Sequence, residues 1–239
     1  MSGHSKWKNI MHKKEKTDSQ RAKVFTKIGK EISMAVKAGG PDPTVNGKLK
    51  DLIAKAKENN VPSDNIERII KKAASNDSEN YDSIIYEGYG PCGVAVIVET
   101  ATDNRNRTGS DLRHYFDKFG GNLGTTGCVA FMFSDKGIIL IESEGVDEDK
   151  LMEAALEAGA EDFSVDEDVF EISTSVADFN AVKEALIGAG YKLASAEIEK
   201  VPATYTTISD PDDEIKMNRL LEMLEDNDDV QNVWHNWEN

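Results

Sequence analysis

The first helical periodicity begins after Thr17-Asp18-Ser19, three candidate N-caps, and places Phe25, Ile28, Ile32 and Ala35 on one side up to about Ala38. Gly39-Gly40-Pro41-Asp42-Pro43 supplies the stop. The spacing predicts a second helix from about Thr44 to Glu58, with Leu49, Leu52, Ile53 and Ala56 sharing a face. A third opens at Pro62-Ser63-Asp64, where Asp64 and Glu67 have capping-box spacing, and it buries Ile66, Ile69, Ile70 and Ala73. Beyond a polar linker near Ser75–Asn80 the pattern turns to strands. Ser83–Glu87 and Val94–Thr100 flank a Gly- and Pro-bearing loop, and a helix with Leu112, Tyr115, Phe116 and Phe119 follows. Cys128–Phe133 and Ile138–Ile141 read as strands about an Asp135-Lys136-Gly137 turn. A helix (Glu148–Ala158), two strands (Asp162–Val165, Val169–Ser173), a helix (Phe179–Ala189) and a strand (Leu193–Glu199) complete a β-α-β-β-α-β order, the ferredoxin-like or split βαβ arrangement. A strand (Thr204–Ile208), a helix (Asp212–Leu224) and a strand around Val230–Trp237 close the chain.

These elements predict an α+β protein in three parts. Residues 1–75 form a helical domain, and residues 81–134 with 203–239 form a discontinuous α+β domain. Residues 138–200 form a ferredoxin-like domain inserted within the second.

Charge changes the picture. The net charge is −16, which by itself argues against a polyanionic partner. Residues 1–74, however, hold 17 Lys and Arg against 8 Asp and Glu, a net of +9, and the remaining residues hold 11 against 36, a net of −25. Such asymmetry suits a basic module facing nucleic acid, joined to a solvated acidic body. No stretch approaches the roughly 20 apolar residues of a membrane helix. The N-terminus lacks an apolar segment behind its charges, and two cysteines are too few for a disulfide framework. A cytoplasmic monomer without a membrane partner is expected.

The candidate nucleic-acid contacts fall in two places. In the first helix Lys23, Lys27, Lys30 and Lys37 lie within a sector of about 80°, opposite the apolar side. Arg21 precedes them, as does a tail with Lys6, Trp7, Lys8, His12, Lys13, Lys14 and Lys16. A lysine stripe on a solvent face tracks phosphates, and Trp7 can stack on a base or pin the tail. Read this way, the stripe is dispensable for folding. The second place is Asp103-Asn104-Arg105-Asn106-Arg107-Thr108, where Arg105 and Arg107 stand at a helix N-terminus and suit phosphate. Equally, Asp103 and Asn104 can cap that helix while the arginines pair with carboxylates.

Catalytic signals are weak. Gly88-x-Gly90-x-x-Gly93 contains Pro91 and leads into a strand, whereas a dinucleotide loop must open a helix. His4, His12, His114 and His235 form no zinc pattern, and no nucleophile elbow or phosphate loop occurs. The runs Asp210–Glu214 and Glu225–Asp229 sit at helix ends and read as caps and solvated faces. No enzyme, cofactor or metal is expected. The alternatives are an acidic protein-interaction module and a metal-dependent nuclease.

Several longer motifs carry a resemblance. Ser2-Gly3-His4-Ser5-Lys6-Trp7, Lys23-Val24-Phe25-Thr26-Lys27, Tyr86-Glu87-Gly88-Tyr89-Gly90-Pro91, Thr102–Thr108 and Asp228-Asp229-Val230-Gln231-Asn232-Val233 resemble the YebC family. Its mitochondrial branch includes a translational activator of cytochrome oxidase. The resemblance spans nearly the whole chain, although Cys92 stands where the family usually has Gly. It implies a three-domain, open, crescent-like arrangement with no enzymatic activity. It implies either a DNA-binding transcriptional regulator or a factor acting in translation, on ribosomal RNA or the ribosome, at difficult proline-containing stretches. Lysines without Arg, Asn or Gln aimed at base edges fit poorly with strict sequence reading.

Overall fold

In a computed structural model the described residues are 18–75, 80–166 and 168–238, with the side chains of 18–20 excepted. Three helices come first: α1 (Asp18–Gly39), α2 (Gly47–Glu58) and α3 (Ser63–Ala74). Ile28, Ile32, Ala35 and Val36 of α1 meet Leu49, Leu52 and Ala56 of α2 and Ile66 and Ala73 of α3 in one core, with Phe25, Ile53, Ile69 and Ile70 partly buried against it. Asn46 ties α1 to α2. Its Oδ1 accepts from Leu49 N at 3.1 Å, and its Nδ2 donates to the carbonyls of Ala35 and Gly40 at 2.9 and 2.8 Å. The second helix therefore starts at Gly47 rather than Thr44, because the capping side chain is Asn46. At α3 the N-cap is Pro62 without a side-chain bond, so the expected Asp64 capping box is not made, and Asp64 sits in the first turn.

The chain then builds β1 (Asp82–Tyr89), β2 (Ala95–Thr102), α4 (Arg105–Lys118) and the short β3 (Asn122–Leu123). It builds β4 (Phe133–Glu142), α5 (Glu148–Ala158), β5 (Asp162–Asp166), β6 (Val169–Thr174), α6 (Phe179–Gly188) and β7 (Leu193–Pro202). The last elements are β8 (Thr206–Thr207), α7 (Pro211–Asp226), β9 (Val230–His235) and β10 (Trp237–Glu238). The protein is thus mixed α and β, with three N-terminal helices followed by antiparallel sheets.

Two compact units result. One comprises Lys16–Val129 with Ile208–His235, and the other Ala130–Thr207 with Asn236–Asn239. In the first, the antiparallel sheet runs β3-β1-β2-β9, with β9 arriving from the far end of the chain. Its core joins Val96, Val98, Leu112 and Phe116 to Met217, Leu220 and Leu224 of α7. In the second unit the order β5-β6-β4-β7, with every neighbour antiparallel, is that of a split βαβ sheet. Ile139, Ile141 and Ile172 there pack under Leu151, Val182 and Leu186 of the two helices.

The expected strand pair about Asp135-Lys136-Gly137 is not formed. Cys128 lies in a turn, Ala130–Met132 forms one 3-10 turn, and β4 runs unbroken through 135–137. Its partner β7 continues to pair there, Asp135 with Lys200 and Gly137 with Ile198, so the ladder overrides the turn-forming residues. Gly137 serves close approach instead: a Cβ at this position would collide with Thr174 and Phe179.

Candidate nucleic-acid interface

Lys23, Lys27 and Lys30 of α1 do not look freely outward. Helix α7 ends in Glu225 and Asp226, acids at the end where the helix dipole is already negative and carbonyls lack partners. The α1 lysines supply what that end lacks. Lys23 Nζ is 2.8 Å from Asp226 Oδ1, and Lys27 Nζ donates to Glu225 O at 2.7 Å. Lys30 Nζ donates to Asp228 O at 2.8 Å, to Asp229 Oδ1 at 2.7 Å and, more loosely, to Ala101 O at 3.3 Å. Lys37 donates to the side chain of Asn80. Lys23, Lys27 and Lys30 form a seam between α1 and the end of α7 in the same unit. For Lys23, Lys27 and Lys30 this corrects the expectation of a stripe that faces only solvent, whereas Lys37 is exposed as expected.

Asp229 is the centre of the seam. Its side chain is 7% exposed and that of Lys30 is 11% exposed, so the pair is largely shielded from water. The other carboxylate oxygen accepts from Arg107 Nη2 and from Thr108 Oγ1, both at 2.7 Å. Burial opposes ionisation of this carboxyl, but the hydrogen bonds from Lys30, Arg107 and Thr108 outweigh it and hold the pKa at about 2. Hydrogen bonds to Asp229 and Asp103 in turn push the Arg107 guanidinium further up.

The arginine motif follows the capping alternative. Asn104 Oδ1 caps α4 by accepting from Arg107 N at 3.1 Å. Arg107 pairs with Asp103 at 2.6 Å as well as with Asp229, and Arg105 pairs with Asp82 at 2.8 Å. Both arginines thus enter carboxylate pairs rather than offering an unclaimed phosphate fork. The acidic runs behave as expected at one end: Asp210 caps α7 by accepting from Asp212 N at 2.8 Å. The run at 225–229, which includes Asn227, is not a plain solvated face, since it receives the lysines.

Lys6, Trp7, Lys8, His12, Lys13, Lys14 and Lys16 lie outside the described residues. Arg21 is exposed on the first turns of α1. A basic surface absent from the candidate contacts above lies on α3. Arg68, Lys71 and Lys72 fall within about 100° of the helical wheel, opposite the buried Ile66 and Ala73, and all three are exposed. The signal was available, since the same wheel that located the buried side also puts three cations on its reverse. Among the described residues no group of three or more His, Cys, Asp or Glu is placed to hold a metal, and no helix is long and apolar enough to cross a membrane.

Residues 5–76 match the family model described as the TACO1/YebC protein N-terminal domain, and residues 81–237 match that of the TACO1/YebC second and third domain. A relative from Acetivibrio thermocellus named "Probable transcriptional regulatory protein" is 62% identical over 239 residues, covering 99% of each chain. One of the same name from Caldicellulosiruptor bescii is 58% identical over 240 residues, covering 100% of this chain and 98% of that protein. The crystal structure of a conserved hypothetical protein from Aquifex aeolicus superposes with a TM-score of 0.85 at 45% identity, covering 94% of this chain and 93% of the other.

Proposed function

This chain belongs to the TACO1/YebC family, and from that premise we propose that it is a non-catalytic regulator of gene expression that binds nucleic acid, working as a DNA-binding transcriptional regulator. The names of its relatives support the regulatory reading. The observation that carries the binding is the division of charge: +9 over residues 1–74 and −25 over the rest. The cations proposed to meet phosphate are Arg68, Lys71 and Lys72, exposed on the outer face of α3, together with Arg21 and the lysines of the N-terminal tail. Contacts of this kind fix affinity and leave sequence unread. No bond-breaking step is assigned to any residue.

Contacts that leave sequence unread favour a second reading, in which the target is RNA or the ribosome. A net charge of −25 repels a long duplex beyond the immediate contact, whereas a folded RNA with protein neighbours accommodates a basic tip and an acidic body together.

The test is competition binding of the full chain at two salt concentrations, with genomic duplex recovered by crosslinking, random duplex and single-stranded RNA as ligands. A preference for recovered over random duplex of at least about 10³ supports promoter binding. Preference near unity, with salt-sensitive sedimentation on ribosomal particles, supports the second reading. No salt-sensitive binding to any of them overturns both and leaves the acidic interaction module.

A further inference from the structure

The sheet β5-β6-β4-β7 has two apolar faces. One packs Ile139, Ile141 and Ile172 under α5 and α6. Side chains alternate along a strand, so Ile138 and Leu140 of β4 and Val169 of β6 lie on the other face. An antiparallel sheet covered by helices on one side commonly gives its second side to water. This one does not. Ile138 is 2% exposed, and Leu140 and Val169 are fully buried. Among the described residues the partly buried apolar groups packed against these three are Ala194 and Val201, and both belong to β7 of the same sheet.

The register tells what kind of cover the face fits. Residues paired across strands share a face. The pairs Leu140–Glu171, Ile138–Glu197 and Lys136–Glu199 set three carboxylates about the apolar centre. Glu142 and Asp166, each paired with Val169, and Asp162, paired with Ser173, add three at the margin. Against these six acids the strands place Lys136 on this face, a net of −5. Glu142, Glu171, Glu197 and Glu199 are partly buried. Carboxylates drawn partly out of water beside apolar groups are stabilised by cations, not by an apolar cover alone. A nucleic acid is the wrong occupant, because its phosphates would meet like charge. The complement is a peptide segment with an apolar stripe flanked by lysines.

The N-terminal tail is such a segment. Residues 1–17, which lie outside the described residues, hold five lysines and one acid, Glu15. Trp7, Ile10 and Met11 recur at the i, i+3, i+4 spacing of one stripe, among Lys6, Lys8, Lys13 and Lys14. A tether of this length spans at most about 60 Å when extended, so the tail is not confined to the helices that follow it.

We propose that the tail docks on this acid-rimmed apolar face, with Trp7, Ile10 and Met11 toward Ile138 and Leu140, and that nucleic acid competes with the face for the tail. The docking stands on the sheet alone. The competition rests on the proposed function, which assigns the tail lysines to phosphate, since a lysine drawn to phosphate leaves its carboxylate.

Carbodiimide links a lysine to a carboxylate in contact with it, and the test maps such links in the full chain. Links within one chain between tail lysines and Glu171, Glu197 or Glu199 are expected, and saturating random duplex should remove them. Trp7→Ala keeps every charge and should lower their yield, whereas an unchanged yield overturns the apolar seating. Absent links, or equal yields to the exposed Glu153 and Glu157 of α5, overturn the docking and leave the nucleic-acid function standing. Links found only in cross-linked dimers overturn it in favour of a second copy. Links that persist while duplex is bound overturn the competition. Links in a chain that binds no duplex uphold the docking and remove the nucleic-acid function.

A charge-matched pair of variants reads the competition without links. Glu197→Gln with Glu199→Gln releases the tail and should raise duplex affinity at least about threefold, as when a binding-competent state ceases to be the minority. Glu153→Gln with Glu157→Gln removes the same charge away from this face and should change affinity by less than about 1.5-fold, since distant charge is screened. Equal gains for the two pairs would trace the effect to net charge and overturn the competition.

Discussion

Helices α1 and α3 carry similar cations and place them differently. On α1, Lys23, Lys27 and Lys30 reach carboxylates and carbonyls at the end of α7, and the shielded Lys30–Asp229 pair joins two layers of one unit. On α3, Arg68, Lys71 and Lys72 are exposed on the side away from the core. A row of lysines therefore says little about its partner until the surface opposite it is known. The α1 row neutralises a helix end that its own acids destabilise, and this is a structural task. The exposed α3 row is the better candidate for phosphate.

The sharpest way to break this contrast is Asp229→Ala. It leaves Lys30 and Arg107 facing a site without its carboxylate, and removal of one partner from a buried pair typically costs about 3–5 kcal/mol. Urea unfolding of the variant should show a loss of that order. A midpoint unchanged from wild type would mean that the seam contributes nothing and that the α1 lysines are available after all.

Acid should do reversibly part of what that mutation does. The Asp229 carboxyl is held at about 2 in the folded chain, below its ordinary value of 3.8. A depressed carboxyl stabilises the fold fully above the unfolded value and loses that contribution as pH falls through the folded one. The window is therefore from about pH 4 down to about pH 2, and the effect is about 2 kcal/mol. Other carboxylates titrate there too, so the informative quantity is the difference in unfolding free energy between wild type and Asp229→Asn. That gap should narrow by about this amount from pH 5 to pH 2. A constant gap would assign the low pKa to some other balance of charges.

Much of the fold was legible in the pattern of the chain, because long amphipathic helices and short β-rich runs bounded by Gly and Pro leave direct traces. The β-α-β-β-α-β order was readable for this reason. What was lost has two physical causes. Asp135-Lys136-Gly137 has turn composition, but β7 bonds it into a strand, and that pairing lies some sixty residues away in sequence. Periodicity puts the α1 lysines on the polar side of the helix but cannot tell which polar side another element covers. Their partners stand about 200 residues later. One clue was present, since Glu225 and Asp226 at a helix C-terminus are electrostatically misplaced unless cations meet them.

The smallest expected change in stability accompanies the prediction that matters most for function. Arg68, Lys71 and Lys72 point away from the helical core, so replacing all three with Gln should shift the unfolding free energy by no more than about 0.5 kcal/mol. Binding should respond quite differently. Each lost phosphate contact removes about 0.9 from the slope of log affinity against log salt on duplex, so three lost contacts flatten it by about 2.7. The readout is this slope rather than a single affinity, because a merely misfolded variant would lose active fraction at every salt without changing the slope. Substituting Lys23 and Lys27 in the same way is the control. Those side chains are spent on α7, so their removal should lower stability while leaving the slope of the remaining folded protein near wild type. If the α3 variant keeps the full slope and the α1 variant loses it, the two faces have been assigned the wrong way round, and α1 must leave its seam to bind.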